Sequence, residues 1–207
     1  MSSISIIGTG GMATAISSLA ARAGHSVEVI SRDASKAQAL ADQIGGDSTV
    51  GAFGSTPAGD IVVLAVPYAV NRDVAKQFGA NLAGKVIIDV SNTFTADATD
   101  VVTPAGTSGA EELAKALPAD AKVVKAFNAV FGHVLAQGRP LDVLIAGDDA
   151  PATASVSSFI QSLGLRPLNV GGLGMARWLE GVGPILMGLA RHGLGSFNLA
   201  IEISTRD

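Results

Sequence analysis

Short apolar runs alternate with stretches of helical spacing along most of the chain, which predicts an α/β fold with a parallel sheet. Ser3–Ile7 has strand length, and the small residues from Gly11 to Ala23 follow as a helix that stops at Gly24. Ser26–Ile30 predicts a second strand and Asp33–Ile44 a second helix, closed by Gly45 and Gly46. A short third strand is expected near Thr49–Ala52, and a strong fourth at Asp60–Val66, cut off by Pro67. Val70–Leu82 is helical, Lys85–Val90 a fifth strand, Asn92–Thr107 a polar loop, Ala110–Leu117 a short helix and Lys122–Phe127 a sixth strand. Beyond these the pattern gives a strand at Asp142–Ala146, a helix at Ala150–Leu163, a strand at Arg166–Val170 and a helix-like stretch at Gly172–Ile203, interrupted by Pro184 and glycines. The expected fold class is a Rossmann-type, doubly wound, mostly parallel sheet. Residues 1–140 are expected to form the larger part, with the first six strands. Residues 141–207 form a small α/β extension that completes the sheet, too short for an independent core.

Composition narrows the classes. The chain has 207 residues, 48% of them hydrophobic and 15% charged, with a mean hydropathy of +0.42. No run approaches the roughly 18 apolar residues of a membrane helix; Ala-rich helices around a buried parallel sheet explain the hydropathy. Met1–Ile7 has no basic start and Gly8 interrupts it, so no secretory leader is expected. A net charge of −4 with no basic stripe argues against nucleic acid as a partner. Cysteine is absent, which excludes disulfides and thiolate chemistry and fits a cytoplasmic protein.

Candidate chemistry begins at Gly8-Thr9-Gly10-Gly11-Met12-Ala13, placed directly after a strand and opening a helix. The first glycine permits the turn, the second lets backbone approach a pyrophosphate, and Ala13 is small enough for close helix–strand packing. A pyrophosphate there meets free N–H groups and the positive end of a helix. At the end of the second strand, NAD binders place an acid. Here Ser31 and Arg32 can hold a 2′-phosphate, with Lys36 a turn further on and Asp33 placed as an N-cap. These residues favour NADP(H).

Three further strand ends carry polar or turn-forming residues. Ala65-Val66-Pro67-Tyr68 can run along the cofactor. Ser91 and Asn92 can bond ribose or carboxamide. Phe127 and Asn128 can border the nicotinamide. Each also has a plain structural reading as a strand stop or turn cap. His25 sits in a turn and is expected exposed, His133 lies near the site, and Arg177 and Glu180 are spaced to pair on a helix. No histidine has acids at ligand spacing, so no metal site is expected. The only tyrosine, Tyr68, has no lysine four residues on, which weakens a short-chain dehydrogenase reading.

Taken together, Ile6-Ile7-Gly8-Thr9-Gly10, Ser31-Arg32, Asp89-Val90-Ser91-Asn92, Val124-Lys125-Ala126-Phe127-Asn128, Ala146-Gly147-Asp148-Asp149, Gly164-Leu165-Arg166-Pro167-Leu168 and Ala176-Arg177-Trp178-Leu179-Glu180 resemble the coenzyme F420-dependent NADP oxidoreductases and their close relatives. The resemblance covers nearly the whole chain. It implies hydride transfer between NADP(H) and the deazaflavin F420, with the two rings stacked in a cleft between the Rossmann part and the extension. Archaeal members carry a histidine-threonine pair where this chain has Phe127-Asn128-Ala129. The asparagine is shared with the oxidoreductase domain of six-transmembrane ferric reductases, which use flavin. Flavin or a small imine or carbonyl is the alternative acceptor, and a non-catalytic NADP(H) sensor the alternative class. Asn128, Ser91 and Gly172 are the candidates for the acceptor end, Gly172 because a glycine allows close approach to a flat ring. The apolar segment Leu173–Ile203 is expected to support a homodimer.

Overall fold

The computed structural model describes residues 2–206. The first strand, β1 (Ser3–Ile7), lies inside an eight-stranded sheet of order β3-β2-β1-β4-β5-β6-β7-β8, where β2 is Ser26–Ile30, β3 Thr49–Gly51, β4 Ile61–Leu64, β5 Val86–Asp89, β6 Lys122–Lys125, β7 Asp142–Gly147 and β8 Arg166–Asn169. The first six strands are parallel and carry the doubly wound order 3-2-1-4-5-6. All four residues of β4 are buried, as a strand covered on both faces requires. One face packs α1 (Gly11–Arg22), α2 (Ala34–Ile44) and α6 (Ala150–Ser162) around Ile16, Leu40 and Phe159. The other packs α3 (Tyr68–Phe78), α4 (Gly109–Ala116) and α7 (Ala176–Gly188) around Val74, Phe78, Leu113 and Ala176. Between β6 and β7 lies the one-turn helix α5 (Gly132–Leu135).

Local chemistry sets the helix starts. Asp33 accepts from the N–H groups of Ser35 and Lys36, Ser108 from Glu111, and Asp149 from Ala152. The third helix begins at Tyr68, two residues earlier than expected, because Pro67 supplies its extended N-cap. The last helix is shorter than expected. It ends at Gly188, continues as a π turn through Leu194, and stops at Gly195 in the left-handed region (φ +62°). Residues 196–206 have no regular structure. Asn92–Thr107 is irregular, as expected, apart from one bridge between Phe94 and Val101. No described helix is long and apolar enough to cross a membrane.

One reversal governs the placement of the site. β7 runs antiparallel to β6, pairing Val124 with Gly147 and Lys125 with Ala146, and β8 runs parallel to β7. The chain therefore leaves β8 at the amino end of β6. Gly147 N–H donates to Gly171 and Leu173 N–H to Asp148 there. From that point α7 climbs back towards the carboxyl ends of the parallel strands. His25 also differs from expectation. It is buried, with Nε2 2.7 Å from the Ser162 hydroxyl and its ring edge-on to Phe159. The end of α6 reaches across and covers the turn.

Candidate functional site

The turn after β1 has the geometry of an anion cradle. Gly8 has φ +131°, and a Cβ there would collide with the Ala65 carbonyl. The close passage of the chain after β4, as well as the turn, dictates this glycine. A Cβ on Gly10 or Gly11 would meet nothing within 4 Å, so this backbone faces open space. Gly10 caps α1 without a side-chain hydrogen bond, and the first turn of α1 holds no acid. The positive end of a twelve-residue helix is left for a ligand.

Beside the turn lies a pocket of about 570 Å³. Gly8, Thr9 and Gly10 form one wall, Ser31, Arg32 and Lys36 a second, and Ala65, Val66 and Pro67 a third. The structure thus gathers three separate sequence blocks at one place. Lys36 stands 3.7 Å from Asp33 in an exposed pair. The hydroxyl of Ser35, followed by backbone N–H of Lys36, holds the Asp33 carboxyl below its ordinary pKa. Tyr68 is turned away. Its hydroxyl donates to Glu112 (2.6 Å) and pins α3 to α4; burial, then that bond, push its pKa up to about 12.

On the far side of the turn is a smaller pocket of about 210 Å³, lined mainly by apolar side chains: Met12, Phe94, Val130, Phe131, Leu186 and Met187. Its polar groups are Asn92 and Asn128, which bond one another: Asn128 Nδ2 donates to Asn92 Oδ1 (3.0 Å), and Asn92 Nδ2 donates to the Asn128 carbonyl (2.9 Å). Asn128 Nδ2 also donates to the Leu179 carbonyl at 2.7 Å. Its Oδ1 is a buried acceptor with no partner. Phe127 does not border this pocket. Its backbone is left-handed (φ +62°) and its side chain lies in the core, a strained conformation that swings Asn128 outward. Gly172 is not here either. It sits beside Asp148, where a Cβ would be 2.8 Å from Oδ1. The antiparallel course of β7 carries it to the opposite end of the sheet. Gly183 in α7 takes its place, close against Phe94 and Asn92.

Beneath the second pocket lies a buried polar cluster. Lys125 is fully buried and pairs with Asp89 (2.9 Å) and Glu180 (2.8 Å), and donates to the Ser91 carbonyl at 2.5 Å. Asp89 also accepts from Asn71 Nδ2 (3.2 Å) and from Ser91 N–H (2.9 Å). Glu180 also accepts from Thr93 Oγ1 (2.7 Å) and the Gly109 and Ala110 N–H groups. Glu180 therefore does not pair with Arg177, whose guanidinium lies 4.6 Å over the Trp178 ring. Ser91 is held in this cluster, accepting from Asn71 Nδ2 at 3.0 Å, and does not line either pocket. Breaking such a pair from one side typically costs about 3–5 kcal/mol.

Comparison with known proteins now bears on this geometry. Residues 3–93 match the family model "NADP oxidoreductase coenzyme F420-dependent". The F420-dependent NADP reductase of Methanocaldococcus jannaschii is 31% identical over 139 residues, covering 63% of this chain and 62% of that protein. Over residues 3–93 the chain is thus similar to the F420-dependent NADP oxidoreductases. Metalloreductase STEAP3 of Rattus norvegicus is also 31% identical, over 86% of this chain but only 36% of that protein. The chain thus spans about a third and about three fifths of these two relatives. The crystal structure of a candidate F420-dependent NADP-reductase from Arthrobacter sp. FB24 superposes with a TM-score of 0.84 at 25% identity, covering 98% of this chain and 99% of that one.

Sequence reasoning misses the walls made by distant segments. Phe53, Val70 and Val74 line the first pocket; Phe94, Phe131, Gly183, Leu186 and Met187 line the second. One signal exists. Leu179, Gly183 and Leu186 recur at helical spacing and mark the buried face of α7. Among the described residues no cluster suited to a metal ion occurs.

Proposed function

We propose that the protein transfers a hydride between NADP(H) and the deazaflavin coenzyme F420. The observation that carries this reading is the position of the phosphate turn between two unlike pockets. The pocket holding Ser31, Arg32 and Lys36 suits an adenosine with a 2′-phosphate. The apolar pocket, with the Asn92–Asn128 pair at its edge, suits a nicotinamide ring. When bound, the dinucleotide supplies the hydride. The work left to the chain is to hold the ring, align it and exclude water. Gly8–Gly11 and the start of α1 receive the pyrophosphate, Asn92 and Asn128 orient the ring, and Phe94, Phe131 and α7 keep water out. The cluster below has no side chain free to shuttle protons to a substrate, which suits hydride transfer between two cofactors. The F420-dependent relatives support the choice of acceptor.

The test is anaerobic mixing of NADPH with oxidised F420, followed by loss of the visible F420 band, with FMN and a cyclic imine in parallel. Turnover fastest with F420 is expected. Turnover confined to FMN or the imine would replace F420 as the acceptor, and tight NADPH binding without any turnover would make the protein a sensor.

A further inference from the structure

We propose that the buried Lys125–Glu180 pair is the positioning element of the hydride site. It fixes α7 and, through Ser91 and the Asn92–Asn128 pair, sets the wall of the apolar pocket. This rests on the reading of that pocket as the ring end of the dinucleotide site. Neither residue lines the pocket, so both act through others.

Three observations carry the inference. First, the three protons of the Lys125 ammonium have three acceptors on three segments: Asp89 at the end of β5, the Ser91 carbonyl in the following loop, and Glu180 in α7. Such a donor fixes directions as well as distances. Second, two carboxylates face one ammonium. The excess charge on Glu180 is met by the N-terminus of α4, where Gly109 and Ala110 donate to it, and by the Thr93 hydroxyl. Glu180 thereby ties α7 to β6, to α4 and to the loop after β5 at a single point. Third, the residue beside it, Leu179, supplies the carbonyl that accepts from Asn128. A shift of α7 at Glu180 therefore moves the polar wall of the pocket directly. Stability alone does not call for this arrangement, since apolar residues in place of a buried ion pair often stabilise equally well or better.

The experiment compares Lys125→Met, Glu180→Gln and the double variant with the parent protein. The double variant removes the ammonium and one of the two carboxylates that face it, leaving Asp89, while the carboxamide at position 180 still offers an oxygen to Thr93 and to α4. Four quantities are read: melting temperature, NADPH dissociation constant, the single-turnover rate with F420, and the fluorescence lifetime of bound NADPH. Lys125→Met should lose both stability and rate. The double variant should regain part of the melting temperature lost in Lys125→Met, since Asp89 then keeps only its bonds from Asn71 and the Ser91 N–H, and should keep its NADPH affinity within about threefold, because the phosphate turn is untouched. Its rate should stay at least tenfold below the parent and its bound-NADPH lifetime should remain altered. If rate and lifetime both return with stability, the pair is structural only and the proposal is overturned. If Lys125→Met does not fold, Glu180→Gln and the double variant carry the same comparison. A parent protein inactive with F420 removes the acceptor assignment alone; the lifetime, which needs no acceptor, still decides on the pair.

Discussion

Arg32 is exposed at the mouth of the larger pocket, and no carboxylate pairs with it among the described residues. A 2′-phosphate would give its guanidinium a charge-assisted partner, so Arg32→Ala should weaken NADPH by about 1.5–3 kcal/mol and leave NADH nearly unchanged. Parallel titrations of the two dinucleotides check this; equal losses would remove the 2′-phosphate assignment. Lys36 contributes less, being an exposed charge already shared with Asp33. A second expectation concerns Tyr68. It is the only tyrosine, so ultraviolet absorbance reads its ionisation alone, with a midpoint expected at about pH 12. The folded state holds the phenol proton more tightly than the unfolded chain, where the pKa is 10.0. Its contribution is therefore complete below pH 10.0 and disappears as the pH rises through about 12. Tyr68→Phe should flatten the alkaline fall in melting temperature over that window; an unchanged slope would mean that the bond to Glu112 does not govern the ionisation.

At the scale of elements, α7 is held by its neighbours more than by its own composition. Its thirteen residues include Gly181, Gly183, Gly188 and Pro184, and each glycine costs about 1 kcal/mol in a helix relative to alanine. Gly183→Ala should nevertheless destabilise, because the new Cβ would lie 2.5 Å from the Phe94 ring. Thermal melts should show the loss, turnover should fall while NADPH affinity stays, and Phe94→Leu in the same chain should recover part of both. A rise in melting temperature would show that propensity outweighs the contact. The elements themselves are legible in the sequence wherever their cause is local. Glycine turns, Asp33 as a cap and the apolar run of β4 all announce themselves within a few residues. Strand direction is not local: an apolar run reads alike in either sense, so the reversal at β7 is invisible in the sequence and Gly172 falls at the wrong end of the sheet. Glu180 misleads for the same reason. Its partner Lys125 lies on another element, whereas Arg177 is near in sequence. The sequence around His25 suggests exposure because its cover, Ser162, comes from 137 residues away.

For the whole molecule, the notable surface is the outer face of α7. Trp178 is 60% exposed, Ile185 61% and Leu189 46%, at spacings that place them on one stripe. Arg177 lies over Trp178, and both residue types are enriched at protein interfaces. We propose that two copies associate through this face. Light scattering at micromolar concentration should give twice the 20.7 kDa chain mass, and Trp178→Glu with Ile185→Glu should give single chains with NADPH affinity intact. A single-chain mass for the parent protein would end this reading.

The antiparallel strand also has a consequence in time. The phosphate turn is made early and Glu180 about 170 residues later, on the order of ten to thirty seconds at ordinary rates of synthesis. For the last 55 residues of that interval Lys125 has only Asp89 as its counter-charge, and the N–H groups at the start of α4 wait for their acceptor. On the reading proposed above, the growing chain would complete its phosphate turn well before α7 walls the apolar pocket. The wall that α7 gives the apolar pocket is the last part of that pocket to be made.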